Sequence, residues 1–98
     1  MNYEFHPEAL EEYQEAALYY AERNPVLARR FVESVESTIR RIVESPQRWR
    51  IIDEDVRRCL TRVFPYAILY TIELELIVIV AVMHCSREPG YWKHRISS

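Results

Sequence analysis

The sequence predicts an α+β protein of order β-α-α-β-β-β, a helical hairpin packed on one face of a small, mainly antiparallel twisted sheet. Three observations carry that expectation. Two consecutive stretches, Pro7 to Arg23 and Pro25 to Glu44, place apolar residues at helical spacing. Three later stretches, Val56 to Val63, Tyr66 to Glu73 and Leu76 to His84, are rich in β-branched and aromatic residues. The connections between them, Phe64-Pro65 and Leu74-Glu75, are too short for a crossover and admit only antiparallel neighbours.

Tyr3 to Phe5 is a short β-prone segment. Pro7 then stands in a first helical turn, where its missing N–H costs no hydrogen bond, and Glu8, Glu11 and Glu12 suit the positive end of the helix dipole. Leu10, Tyr13, Ala17 and Tyr20 are expected to form the apolar stripe of this helix. Asn24-Pro25 reads as a cap followed by a first-turn proline, so the next helix begins with almost no loop. That helix carries Phe31, Val35, Ile39 and Ile42 on one side and stops before Ser45-Pro46. From Pro46 to Asp55 the chain is expected to be irregular, anchored by Trp49. Leu76 to Met83 is apolar throughout and marks a strand covered on both faces or nearly so, with the helical hairpin on one face and the other partly open.

The length of 98 residues suits a single domain over 1–98. No uncharged apolar run approaches the ~18 residues of a membrane span. The opening MNYEFHPE lacks the basic-then-apolar order of a secretory signal, so a cytoplasmic location is expected. Cys59 and Cys85 are far apart and show no CxxC spacing, which suggests neither a zinc site nor a disulfide. Two buried or half-buried thiols without a role are expected, with no metal and no cofactor.

Charge is unevenly spread. Up to Ser45, five basic residues face nine acidic ones, whereas from Pro46 onward eight basic residues face six acidic ones. Of the thirteen basic residues only Lys93 is a lysine, a preference that suits planar, bidentate contacts to carboxylate or phosphate. The arginines on the helices are expected to pair with neighbouring glutamates. Chemistry or recognition is expected at His84 to Trp92, HCSREPGYW, where an imidazole, a guanidinium, a phenol and an indole follow a buried strand. The only glycine of the chain, Gly90, lies in this turn and is free to take positive φ.

In this order and spacing, the segments PEALEEYQEAALYYAE, ARRFVESVESTIRRIVESP, RRCLTRVFPYAILY, IVIVAV and HCSREPGYW closely resemble the RelE/ParE superfamily of toxins. The resemblance covers nearly the whole chain. It implies the toxin half of a bacterial type II toxin-antitoxin system, with growth inhibition, plasmid stabilization and a cognate antitoxin as partner. RelE-like members cut mRNA at the ribosome, and ParE-like members poison DNA gyrase without hydrolytic chemistry of their own. For RNA cleavage the candidate catalytic residues are His84 and Tyr91 as acid or base and Arg58, Arg62 and Arg87 as phosphate clamps. Strand alternation places Arg58 and Arg62 on one face. By resemblance, Arg87 matches the arginine that RelE-like nucleases keep after the last strand, and Tyr91 lies near their C-terminal tyrosine. Ala67 occupies the position where RelE has a catalytic arginine, and a pI of about 5.9 suits an rRNA footprint poorly. These two features favour a noncatalytic gyrase poison. A ribosome-dependent endonuclease and an attenuated antitoxin-binding member are the alternatives. A homodimer and a toxin-antitoxin hetero-oligomer both stay open.

Overall fold

The protein is described here as a computed structural model covering residues 1–96. β1 (Asn2–Phe5) leads into α1 (Pro7–Arg23) and α2 (Pro25–Glu44). β2 (Arg50–Asp53), β3 (Val56–Leu60), β4 (Tyr66–Glu73) and β5 (Leu76–His84) follow, with a 3₁₀ turn at Lys93–Arg95. The strands form one sheet in the order β1-β5-β4-β3-β2, in which β1 runs parallel to β5 and the other pairs are antiparallel. Residues 97 and 98, the end of the expected domain, lie outside the described residues.

The helix boundaries are set by side-chain caps. His6 Nδ1 accepts the Glu8 N–H at 3.1 Å ahead of Pro7. Asn24 serves both helices: its N–H donates to Tyr20 O at 2.8 Å, and its Oδ1 accepts the Val26 N–H at 2.8 Å. Phe31, Val35, Ile39 and Ile42 of α2 are buried against the sheet as expected. In α1 Tyr13, Ala17 and Tyr20 pack against the core as expected, but Leu10 does not. Ala9 and Ala16 are the buried positions and Leu10 is 40% exposed, because small side chains let this helix approach the sheet closely.

Two further expectations are corrected. Arg50–Asp53 forms a strand, because Arg57 donates to Gln47 O and Trp49 O at 3.0 and 2.8 Å and ties the incoming loop to β3. Pairing with β3, and no alternation of its own, makes RIID a strand. Conversely β3 stops at Leu60, short of Val63. The Thr61 N–H donates to Tyr66 O at 2.9 Å, and its hydroxyl lies 3.0 Å from Phe64 O, so the chain folds back on itself. Val63 at the tip has φ 74 and is 96% exposed, a strained conformation for a β-branched residue. Of the two thiols Cys59 is buried, but Cys85 is exposed, since it follows the end of β5.

The sheet is covered on both faces. Ile68, Tyr70, Ile77, Ile79 and Val82 face the helices, whereas Val56, Ala67, Leu69, Val80 and Ala81 pack under Trp92 on the other side. That second face is therefore less open than expected, because the C-terminal indole closes its centre.

Two outcomes follow from this packing. Val63→Gly relieves the positive φ without losing a buried contact and should raise unfolding free energy in urea by about 1 kcal/mol. Tyr70 is fully buried and donates to Pro46 O at 2.5 Å, and burial pushes its phenol up to about 12. A raised value in the folded state leaves stability intact below the ordinary value of 10 and removes it as pH climbs toward 12. The loss for this one group should approach ~1.4 kcal/mol per pH unit above 10, measured by urea unfolding in alkaline buffers.

Candidate functional site

The geometry around the end of β5 begins with one extra residue. Leu69 pairs with Ala81 and Tyr70 with Ile79, so Val80 bulges out of β5. Val80 and Ala81 consequently face the same side, and Val82 returns to the helix side. The bulge thereby carries His84 onto the helix face, edge-on to Tyr66 with ring centroids 5.1 Å apart. Strict alternation from Ile79 would place it under the opposite face.

β1 ends at Phe5, opposite Ile79, and beyond that point the outer edge of β5 has no strand beside it. Glu12 of α1 takes over. Its Oε1 accepts the Val82 N–H at 3.0 Å and Arg95 Nη1 at 2.9 Å. Its Oε2 accepts Arg95 Nη2 at 3.0 Å and the Tyr91 hydroxyl at 2.6 Å. Arg95, with only 6% of its side chain exposed, also donates to the carbonyl of the bulged Val80 at 3.0 Å. One carboxylate thus holds the first helix, the last strand and the C-terminal segment together. Neither Glu12 nor Arg95 was singled out from the sequence. The available signal was a glutamate between Ala9 and Ala16, on the side of α1 that faces the sheet.

The expected site residues divide into two groups. His84, Arg87 and Tyr91 share a shallow cavity of about 230 Å³ with Glu15, Tyr19 and Tyr66. The Arg87 guanidinium lies 3.8 Å from the Tyr91 ring centroid, and its Nη2 is 3.6 Å from Glu88. Gly90 takes φ 78 in the turn that directs Tyr91 toward Glu12, as the sole glycine was expected to. Arg58 and Arg62 lie elsewhere. Arg62 falls beyond the end of β3, where alternation no longer applies, so the two do not share a strand face as expected. Arg58 borders a cavity with Arg48, Trp49 and Arg50, and Arg62 borders another with Arg30 and Val63. A cavity of about 650 Å³ between β1 and α2 contains none of the five.

The side chains of the first group are already engaged. Burial raises the Tyr91 phenol well above its usual range, and donation to Glu12 adds to the shift. At neutral pH it is a fixed hydrogen-bond donor. His84 Nδ1 accepts the Ser86 N–H at 3.1 Å and lies 2.7 Å from the Ser86 hydroxyl. An Nδ1 that accepts carries no proton, so a neutral ring holds its proton on Nε2 and has no second lone pair for a base. Arg87 is the exposed cation of the group. Among the described residues no cluster of three or more His, Cys, Asp or Glu side chains is placed to hold a metal ion.

The clasp can be measured directly. Glu12→Gln takes the bidentate carboxylate from the buried Arg95, leaving it only Glu8 at 3.7 Å, and should cost about 3 kcal/mol in urea unfolding. Tyr91→Phe removes one hydrogen bond to a charged acceptor and should cost about 1.5 kcal/mol. Equal, small losses from both would show that Glu12 is replaceable.

Residues 3–89 match the family model described as ParE toxin of type II toxin-antitoxin system, parDE. No curated protein matches the chain. The family match includes Glu12, His84 and Arg87 and stops before Tyr91 and Arg95, so the clasp is closed by residues beyond it. Because the match runs through both helices and all five strands, the chain belongs to the ParE toxin family of type II toxin-antitoxin systems.

Proposed function

We propose that this toxin arrests growth by a ParE-like, noncatalytic mechanism, binding DNA gyrase in the cytoplasm through the surface formed by His84, Arg87 and the following turn. The observation that carries the proposal is the commitment of Tyr91 to Glu12. General acid-base catalysis needs a group that exchanges a proton near the operating pH, and this phenol is held protonated by burial and a short bond. Three features support the same reading. His84 presents a donor instead of a base in its neutral form. The phosphate-clamp candidates Arg58 and Arg62 line cavities other than that of Arg87. Ala67, where an arginine is needed for the RelE-like chemistry, is fully buried in the packing under Trp92.

A binding surface requires shape and charge without proton transfer, and the exposed Arg87 stacked on Tyr91 offers both. The cognate antitoxin is the partner that the family implies. We place it over the helical hairpin and the surfaces that bear Arg58, Arg62 and Arg87. A single domain over 1–98 is sufficient for this activity.

Purified chain incubated with gyrase and relaxed plasmid should suppress supercoiling, while mRNA on translating ribosomes stays uncut by primer extension. Full gyrase activity in toxin excess together with cut mRNA would establish the endonuclease instead. Induced expression without antitoxin should arrest growth, and absence of arrest would identify an attenuated antitoxin-binding member. Tyr91→Phe should retain growth arrest, whereas a nuclease that used this phenol should lose roughly 100-fold or more in cleavage rate.

A further inference from the structure

The two outer strands of the sheet, β1 and β2, present complementary backbones. The His6 N–H donates to Ile79 O at 2.8 Å, so by alternation the N–H and C=O of Tyr3 and Phe5 point away from β5. At the other edge the Thr61 N–H donates to Tyr66 O. Counting back along the unbroken register of β3 with β4, Cys59 with Ile68 and Arg57 with Tyr70 are the hydrogen-bonded pairs. Arg58 therefore bonds toward β2 through its partner Arg50, which leaves the N–H and C=O of Ile51 pointing outward.

The side chains match as well. Phe5 packs into the core on the helix side with Tyr3 against it, so Glu4 lies on the opposite face. Ile51 lies across from Arg57 and, beyond it, the helix-side Tyr70, whereas Arg50 lies across from Arg58 and then Leu69 of the Trp92 side. Tyr3 and Ile51 thus share one face, and Glu4 and Arg50 the other. Both apolar members are open to solvent, Tyr3 at 38% and Ile51 at 47%. Among the described residues neither Glu4 nor Arg50 forms an ion pair within the chain.

Strand direction agrees. β1 is parallel to β5 and every later neighbour is antiparallel, so β2 runs opposite to β1. A second copy that continues the sheet, with its helices on the same side, therefore brings its β1 antiparallel to this β2. Setting Ile51 opposite Tyr3 as a hydrogen-bonded pair places Arg50 opposite Glu4 in a non-hydrogen-bonded pair. Side chains come closest there, and opposite charges stabilise the contact.

The wider charge distribution has the same sense. Glu4, Glu36 and Glu44 border the cavity of about 650 Å³ beside β1, with Arg40 the one cation, whereas Arg41, Arg48, Arg50 and Arg58 border the cavity beside β2. Among the described residues Arg29, Arg30, Arg40 and Arg41 form no ion pair, so the pairing expected for the helical arginines is not made. Asp53, Glu54 and Asp55 at the end of β2 act against the contact. Asp53 is held by Lys93 at 2.8 Å, and the other two form the turn into β3. In this register they stand toward Asn2 and Glu75, past Glu4, and the irregularity between Ile51 and Asp53 ends the pairing before them. Symmetric alternatives are worse. Two β1 edges paired through Tyr3 and Phe5 set Glu4 against Glu4, and two β2 edges bring the arginine flanks together.

We propose that this chain associates with itself head to tail, the β2 edge of one copy adding to the β1 edge of the next, with Ile51 opposite Tyr3 and Arg50 opposite Glu4. Such an interface is heterologous, so every added copy leaves one edge of each kind free and growth continues past the dimer. Each edge strand has four residues, which makes the contact small and the assembly weak.

Sedimentation velocity of the full chain between about 10 μM and about 1 mM, the range of weak contacts, should show mass rising beyond a dimer and falling again with added salt. Glu4→Arg and Arg50→Glu should each weaken association at least about tenfold. An equimolar mixture of the two variants should restore it, because each offers the charge that the other's edge lacks. Ile51→Pro removes an outward N–H while keeping the ladder to β3, and should also abolish growth. Circular dichroism checks each fold, and Ile51→Pro supplies the readout should a charge variant not fold. A monomer at every concentration, a mass that stops at a dimer, or a mixture no more associated than its separate variants would each overturn the proposal.

Discussion

The four hydrogen bonds that converge on Glu12 are the constraint from which the rest of the structure follows. Removing a carboxylate and a guanidinium from water costs several kcal/mol per ion, a penalty offset only when geometry is good and the remaining donors are matched. Here both oxygens accept two donors each, and Arg95 spends a further N–H on the carbonyl of the bulged Val80. The sheet edge that β1 leaves open is thereby closed by a side chain from α1 instead of another strand. Loss of either partner leaves a buried charge without its bidentate counterpart, so α1, β5 and the C-terminal turn are energetically one unit.

That unit also determines what the end of β5 is suited to do. The bulge turns His84 toward the helices, and Glu12 holds Tyr91 as a donor beneath the Arg87 guanidinium. A group fixed in a hydrogen bond to a carboxylate serves poorly as a proton shuttle but well as a rigid platform. The result is a cationic, aromatic surface patch on a stiff support, and the proposed noncatalytic mechanism rests on it.

Charge is organised on the same principle of separation. Acidic side chains of the first half of the chain stand along α1 and beside β1, whereas arginines from α2 meet those of β2 and β3 on the opposite flank. A net charge of −2 therefore conceals a dipolar surface. Such a surface orients an approaching charged partner before contact, and the steering weakens with salt.

Local signals were legible in the sequence because their physics is local. Asn24-Pro25 caps and starts helices through bonds within a few residues, and the helical spacing of Phe31, Val35, Ile39 and Ile42 needs only one partner surface. The limits of α1, α2, β4 and β5, and the crowding of His84, Arg87 and Tyr91 at one place, belong to this class. What sequence alone left undecided depends on contacts between distant residues. Glu12 and Arg95 are 83 positions apart, so neither the clasp nor the bulge it accompanies has a local signature. β2 exists because β3 pairs with it, and Arg62 parts from Arg58 because Thr61 closes a turn. Only the tertiary structure decided which face His84 takes and which arginines stand together, since one extra residue in a strand reverses every side chain after it.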